Sequence, residues 1–408
     1  MQLYVASNSD DELLRGAADY PVKSFFGKLS ADFIGGGRAS FTLPPVSRKR
    51  FEAHVGTARK LGFEFNYLLN GACFDNKELT VKGQKQIHQT LKWMVDIGVN
   101  ATTVTNPILL RIIKQNYPQL KVRISVFANV DHPRKIEYWE KNGADVICLR
   151  SLFMNRDLRA LKAMRKATNL ELELLANENC IQSCSLDITH MNLISHSSQS
   201  GHEEGAYIID HCVLECSKAK MKDPVNFVRS DWIRPEDTHL YEQLGYHTFK
   251  LVDRSLPTDI MLMRIKAYAE RKYDGNLLDL VQSYGHERTA SRESHYRQKS
   301  KLKQTLHFMN PLKNNLALSR QIGEFAEYKG MQGTLSFKQP IQIDNRQLDG
   351  FLEEVWKREC RYNDCNQCRY CHQVAERVVR IDEPYRQRCL EMHRGIEATI
   401  TQGFAHGR

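Results

Sequence analysis

The first 275 or so residues alternate between β-rich and helical segments, and this alternation constrains the fold more than any other feature. The strand-like segments are MQLYVAS, VKSFFGKL, FEFNYLLN, ATTVTNP, KVRISVFANV, DVICLRS, LELELLAN and TFKLVDR. Between them, apolar residues recur at helical spacing, as in Ile87, Leu91 and Met94. The pattern predicts an α/β fold of the (β/α)8 TIM-barrel type. An open, doubly wound sheet is the alternative.

Strand parity indicates which side chains enter the barrel, because alternate residues of a strand point to opposite faces. Polar residues fall on the inward faces or at the C-terminal strand ends, where active sites of this fold lie. We predict catalytic roles for Arg150, Glu173, Lys250 and Arg254, and substrate-binding roles for Asn70, Asn106, Ser125 and Asn177. Such a pocket fits an anionic small-molecule co-substrate, for example a carboxylate clamped by Arg and Lys. The alternative is an internal ion-pair network that only stabilises the barrel.

Two short-spaced cysteine pairs follow the seventh strand. They are Cys180 with Cys184 and Cys212 with Cys216. Each such pair can supply two adjacent corners of a metal or iron-sulfur site, so the sequence predicts a four-cysteine metal site at the barrel mouth. We expect Cys73 and Cys148, which have no thiol neighbour in sequence, to be small buried side chains.

A second cysteine set lies near the C-terminus, at Cys360, Cys365, Cys368 and Cys371. Its CxxCxxC run is typical of ferredoxin-like clusters. Structural zinc is the alternative, because His372 is adjacent and zinc sites use similar short steps. We therefore expect three units: a barrel with the four-cysteine site (residues 1–280), a basic linker or peripheral segment (281–340) and a C-terminal cysteine-rich metal-binding appendage (341–408).

Composition bears on location and partners. The sequence contains 11 cysteines, an odd number that includes two clusters, which favours metal ligation in a reducing compartment over disulfides. No apolar run is long enough to span a bilayer and the first residues lack a signal pattern, so we expect a cytoplasmic protein. The net charge of +10 and the basic stretch from His286 to Gln304 leave RNA open as a partner; a solvated basic surface is the alternative.

With these residues laid out, the chain resembles peptidase family U-32, also called the collagenase-like peptidases. The resemblance covers residues 1 to about 275 and lies in the order of its features: Asn70 ending strand three, Asn106-Pro107 after strand four, Ser125 on strand five, Arg150 on strand six, the paired cysteines, and Phe249, Lys250 and Arg254 on the last strand. The chain has Ala176 and Asn177 where the family often has His-Gly.

The resemblance implies a barrel in which Cys180, Cys184, Cys212 and Cys216 hold a [4Fe-4S] cluster, with Arg150, Lys250 and Arg254 in the pocket. Several family members are similar to oxygen-independent hydroxylation proteins, including RNA hydroxylases that use prephenate and partners in anaerobic ubiquinone synthesis. We therefore predict an iron-sulfur oxidoreductase of hydroxylase type, with an electron-donor protein as a further partner and the second cysteine set as a relay. A peptidase using a cysteine with His190, His196 or His211 is one alternative, and an RNA-binding or RNA-modification factor is another.

Overall fold

The computed structural model describes residues 1–38, 43, 46–200, 210–281, 316–329 and 339–402. Its centre is a closed barrel of eight parallel strands, ordered as in the chain. The strands are β1 (Gln2–Ala6), β2 (Val22–Gly27), β3 (Glu64–Leu69), β4 (Ala101–Val104), β5 (Lys121–Ile124), β6 (Val146–Cys148), β7 (Glu171–Leu175) and β8 (Thr248–Leu251). The barrel closes where β1 pairs with β8, Leu3 lying opposite Phe249. The predicted (β/α)8 barrel is confirmed, and the open sheet is wrong because the first and last strands are hydrogen-bonded.

Helices cover the outside of the barrel. Up to the seventh strand they are α1 (Asp11–Gly16), α2 (Arg48–Lys60), α3 (Val81–Asp96), α4 (Pro107–Asn116), α5 (Pro133–Lys141) and α6 (Leu158–Lys166). Each buries an apolar stripe, as α3 does with Ile87, Leu91 and Met94. The sequence sets their ends: the Asn106 side chain caps α4 by accepting from the amides of Ile108 and Leu109, and Pro107 occupies the first turn.

The connection between β7 and β8 is much longer than the others and carries the first cysteine set. Its helices are α7 (Asp187–Ser197), α8 (His211–Lys222), α9 (Val225–Arg229) and α10 (Thr238–Gln243). After β8 come α11 (Thr258–Glu270) and α12 (Leu277–Leu280). Long loops at the carboxyl ends of barrel strands are where this fold builds binding sites, so the insertion marks the mouth of the barrel.

The described part of the C-terminal appendage packs against this insertion. Its elements, with the preceding helix, are α13 (Leu316–Tyr328), β9 (Ile341–Ile343), α14 (Phe351–Trp356), α15 (Cys365–Cys368), α16 (Tyr370–Val378), β10 (Val379–Ile381) and α17 (Glu383–Thr401). The buried rings of Trp232 and Phe351 stack at 5.6 Å, and one apolar cluster joins residues 221–281 to residues 341–389. The barrel and the appendage therefore share a core.

Part of the predicted basic segment cannot be placed in this architecture. His286 to Gln304 lies outside the described residues. Within the described ranges, no helix combines the length and the apolar character needed to cross a bilayer.

Candidate functional site

The barrel interior holds an ion-pair network, as strand parity predicts. Arg123 on β5 donates to Glu173 on β7 at 2.5 Å and also to Glu64 on β3. Lys250 on β8 lies 3.6 Å from the other oxygen of Glu173. Arg123 and Glu173 are completely buried and Lys250 is nearly so, which places these charges below the mouth rather than in it.

The predicted amide and hydroxyl residues lie close to the strand ends, where most of their groups already have partners. Asn70 donates to the Ser125 hydroxyl at 3.1 Å. Asn177 bonds both ways with the Val252 backbone, donating at 2.9 Å and accepting at 2.8 Å. Asn106 caps α4 and donates to Glu78 at 2.7 Å. Among these four, the buried Asn70 Oδ1 has no hydrogen-bond partner, so Asn70 has acceptor capacity to spare.

Arg150 lies in a cavity of about 480 Å³ at the barrel mouth, which we call the mouth cavity. Its guanidinium contacts Asp187 and Asn129. Burial lowers the pKa of Arg150, against the opposing charges of Asp131 and Cys184. The polar groups around the cavity are Asn129, Asp131, Lys135, Arg150, Ser151, Ser183, Cys184 and Arg361. Lys135, Arg150 and Arg361 face this volume. They are paired with the carboxylates of Asp131, Asp187 and Asp157 respectively, so a small anion would bind by sharing these cations.

Three thiols of the first cysteine set come together beside this cavity. Cys184 and Cys212 each interact electrostatically with Cys216 and with each other. Burial, the Asp210 carboxylate and the neighbouring thiols raise the pKa of Cys212 to about 12. Cys180, Cys184 and Cys216 are half-buried, and none of the three forms a disulfide bond. Because metal ligation needs thiolates, a cation binding here would release protons.

The second cysteine set surrounds its own small cavity in the appendage. Cys360, Cys365, Cys368 and Cys371 all line it, together with Arg229 and Arg358. Burial and the three other thiols raise the pKa of Cys360 to about 11. The sequence-predicted grouping of these four side chains is therefore present in space, although the metal itself remains a prediction.

Two arginines connect the region of the first cysteine set with that of the second. Arg361 follows Cys360 and reaches the mouth cavity, where it lies 3.1 Å from Asp157. Arg156 stacks over Trp232 at 4.2 Å and interacts electrostatically with Cys371. The sequence does not indicate a role for either arginine, because the partner of each, Asp157 for Arg361 and Cys371 for Arg156, lies about 200 residues away in the chain.

Asp231 is a further buried acid that sequence reasoning missed. It accepts from the Asn155 amide at 3.2 Å and is completely buried. Burial raises its pKa to about 7, although the charges of Arg156 and Arg150 pull in the other direction. Asp231 does not line the mouth cavity, so its raised pKa bears on the stability of the fold rather than on proton transfer to a bound molecule.

A third group of metal-ligating side chains lies elsewhere. Among the described residues, Cys73, Asp75 and His196 have ligand atoms that all lie within 4.8 Å of one another, whereas no three thiols of either cysteine set are that close. Cys148 is buried as expected, but the expectation for Cys73 is wrong: it is half-buried and contacts Asp75. Its partner His196 is distant in sequence, so no local signal could reveal the group.

Comparison with known proteins gives matches of different extent. Residues 36–216 match the model of peptidase family U32. An uncharacterised protease of Methanocaldococcus jannaschii is 26% identical over 350 residues, which cover 86% of this chain and 87% of that protein. The tRNA hydroxylation protein P of Escherichia coli is 19% identical over 170 residues, so that the chain spans 36% of its length. A solved structure of a U32 peptidase aligns with a TM-score of 0.46 and 21% identity, covering 62% of this chain and 93% of that one.

Proposed function

The resemblance to peptidase family U32 that the sequence predicts is confirmed over residues 36–216, and from this premise we propose an iron-sulfur oxidoreductase that hydroxylates its substrate without molecular oxygen. An anionic small molecule would serve as co-substrate. The observation that carries the proposal is the position of Cys184, Cys212 and Cys216 beside a cavity faced by Lys135, Arg150 and Arg361. The name of the Escherichia coli and Haemophilus influenzae relatives, tRNA hydroxylation protein P, agrees with this reaction class.

Iron and sulfide, rather than a single zinc ion, are the proposed metal at both cysteine sets. Tetrahedral zinc with Zn–S bonds of about 2.3 Å holds its sulfurs about 3.8 Å apart. Among the described residues, no three sulfurs of either set lie within 4.8 Å of one another. A four-iron cluster is larger than one ion and takes wider-spaced sulfurs, so the proposal assigns one cluster to Cys180, Cys184, Cys212 and Cys216 and a second to Cys360, Cys365, Cys368 and Cys371, where zinc is the alternative.

The chain's own residues would position the co-substrate. Arg150 and Arg361 offer planar, charged donors to the mouth cavity, and Lys135 adds a third cation to its lining. When bound at the thiols, a cluster would supply electron transfer or an open iron. An electron-donor protein remains part of the proposal.

A peptidase is the second candidate, because His211 Nε2 lies 3.5 Å from Cys212 Sγ and the archaeal relative is named a protease. Two observations argue against it. Cys212 is only 3% exposed, so a peptide bond cannot reach the sulfur. Its pKa is raised to about 12, whereas a nucleophilic cysteine needs a lowered pKa.

Iron, sulfide and zinc analysis of protein purified without oxygen tests the proposal. We expect iron and sulfide in the wild type, with partial loss in Cys184→Ala and in Cys371→Ala. Cys389→Ala is the matched control, since Cys389 is buried outside both sets. Zinc without sulfide in reconstituted wild type would refute the iron-sulfur proposal.

The reaction is tested separately with bulk tRNA and prephenate, the co-substrate that the family resemblance implies. In the absence of oxygen, and with an added electron carrier that takes up the two electrons that hydroxylation of a C–H bond removes, we expect a mass increase of one oxygen atom on a nucleoside, and its loss in Arg150→Met. An unmodified tRNA with cluster-loaded protein would rule out this substrate. Cleavage of a peptide by metal-free protein would favour the peptidase instead.

A further inference from the structure

Cys73, Asp75 and His196 form a group that the proposed function does not use. Cys73 and Asp75 lie in the loop after β3, and His196 lies in the last turn of α7. Cys73 and His196 are half-buried, while the Asp75 side chain is 39% exposed. The group is thus open to solvent on one side and supported by the fold on the other.

The distances within the group suit one metal ion. Asp75 Oδ1 lies 3.6 Å from Cys73 Sγ and 3.5 Å from His196 Nε2. A tetrahedral zinc ion with bonds of about 2.3 Å to sulfur and about 2.1 Å to nitrogen and oxygen separates such atoms by about 3.4–3.6 Å. The two separations from Asp75 Oδ1 therefore match those of a tetrahedral ion, and all three ligand atoms lie within 4.8 Å of one another, which leaves a fourth corner for water.

Hydrogen bonds hold the two segments in this arrangement independently of any ion. The Gln199 side chain donates to the Cys73 carbonyl at 2.6 Å. The Ala72 amide donates to the Ser195 hydroxyl at 2.8 Å. Each of these bonds joins a neighbour of one ligand to a neighbour of another. A site organised in this way loses little conformational entropy when it binds metal.

We propose that Cys73, Asp75 and His196 bind a divalent transition-metal ion, Zn²⁺ in the first instance. Thiolate, imidazole and carboxylate together form a donor set that suits zinc and not magnesium or calcium, which prefer oxygen ligands. The ion would fasten the loop after β3 to α7, the helix that begins three residues after Cys184. It would thereby fix the segment that carries the first cysteine set.

Lys77 modulates the site without excluding the ion. Its ammonium group lies 3.0 Å from Asp75 Oδ2, the carboxylate oxygen that does not face Cys73 and His196. Its positive charge weakens cation binding, because like charges repel at this distance.

Zinc stoichiometry of variants tests the inference. Wild type, Cys73→Ser and His196→Ala are reconstituted with iron and sulfide and then titrated with Zn²⁺ alone; His239→Ala is the control, an exposed histidine elsewhere. We expect both site variants to bind one zinc fewer per chain than wild type and control. Equal stoichiometry in all four proteins, or a loss in only one of the site variants, would overturn the three-ligand site.

Alkylation of the unmodified chain provides a test that does not depend on variant folding. With Zn²⁺ present, we expect the rate of Cys73 labelling by iodoacetamide to fall at least tenfold, read by peptide mass spectrometry. Labelling of Cys73 at the same rate with and without zinc would mean that the group is only a hydrogen-bonded cluster. The alkylation test requires no iron at the other cysteines, and the zinc titration measures a difference between variants treated alike, so the inference can fail or hold independently of the proposed function.

Discussion

Replacing Glu173 by glutamine should reduce folding stability and leave anion binding intact. Glu173 is completely buried, with Arg123 at 2.5 Å and Lys250 at 3.6 Å. The sequence leaves open whether this carboxylate is catalytic or belongs to a stabilising network. Its contacts favour the network, because every group facing it belongs to the barrel interior and Glu173 is not among the residues lining the mouth cavity.

The size of the effect follows from burial. Removing one member of a buried ion pair costs about 3–5 kcal/mol of unfolding free energy, since the remaining charge stays desolvated. Arg123 keeps Glu64 as a second partner, so we expect the lower end of that range. With a urea slope of about 3 kcal/mol per molar, the unfolding midpoint should fall by roughly 1 M.

An exposed ion pair of the same length provides the control. Lys141 Nζ lies 2.5 Å from Glu137 Oε1, but the two side chains are 73% and 59% exposed. Water screens such a pair, so Glu137→Gln should unfold at the wild-type midpoint. The assay is urea unfolding followed by circular dichroism, with prephenate binding measured on the same proteins. Wild-type stability in Glu173→Gln, or lost binding in the folded variant, would refute the reasoning.

Three further predictions concern single side chains. Arg361→Ala should raise KM for the anionic co-substrate about three- to tenfold at unchanged kcat and iron content. The effect is modest because Arg361 lines the mouth cavity but its side chain is 38% exposed, so water screens its charge. A fall in kcat alone would contradict this. Asp231→Asn should remove a pH dependence of Tm. Because the pKa of about 7 in the folded protein lies above that of an unfolded carboxyl, wild-type stability falls as pH rises from about 4 to 7. Curves of Tm against pH that run parallel for wild type and Asp231→Asn would contradict this. Lys77→Met should tighten zinc binding in calorimetric titration, since it removes the ammonium from Asp75; weaker or equal binding would count against the site.

The barrel and its inward-facing charges could be predicted because both follow from local periodicity. Strand segments recur with helices between them, and the alternation of side chains along a strand places Lys250 on the face opposite Phe249 and Leu251. The contacts of Lys250 and Arg123 with Glu173 then follow from strand order. Glu64, the other partner of Arg123, is not apparent because sequence does not give the depth of a side chain in the barrel.

The rest of the site depends on contacts between distant segments. Arg361 reaches the mouth cavity and His196 joins Cys73, and neither pairing leaves a mark on the sequence nearby. Asn106 is different, because a local signal existed. An asparagine followed by Pro107 is typical of a helix start, and the structure has the Asn106 side chain capping α4.

The core shared by barrel and appendage bears on how such a chain can change in evolution. Trp232 stacks on Phe351, and Arg156 lies over both rings, 4.2 Å from the first and 5.2 Å from the second, while it also interacts with Cys371. A foreign module grafted in place of residues 341–402 would leave that indole exposed and would remove an arginine from the wall of the cavity. The C-terminal appendage and the insertion between β7 and β8 must therefore vary together. A lineage that lost one of them would need compensating substitutions in the other.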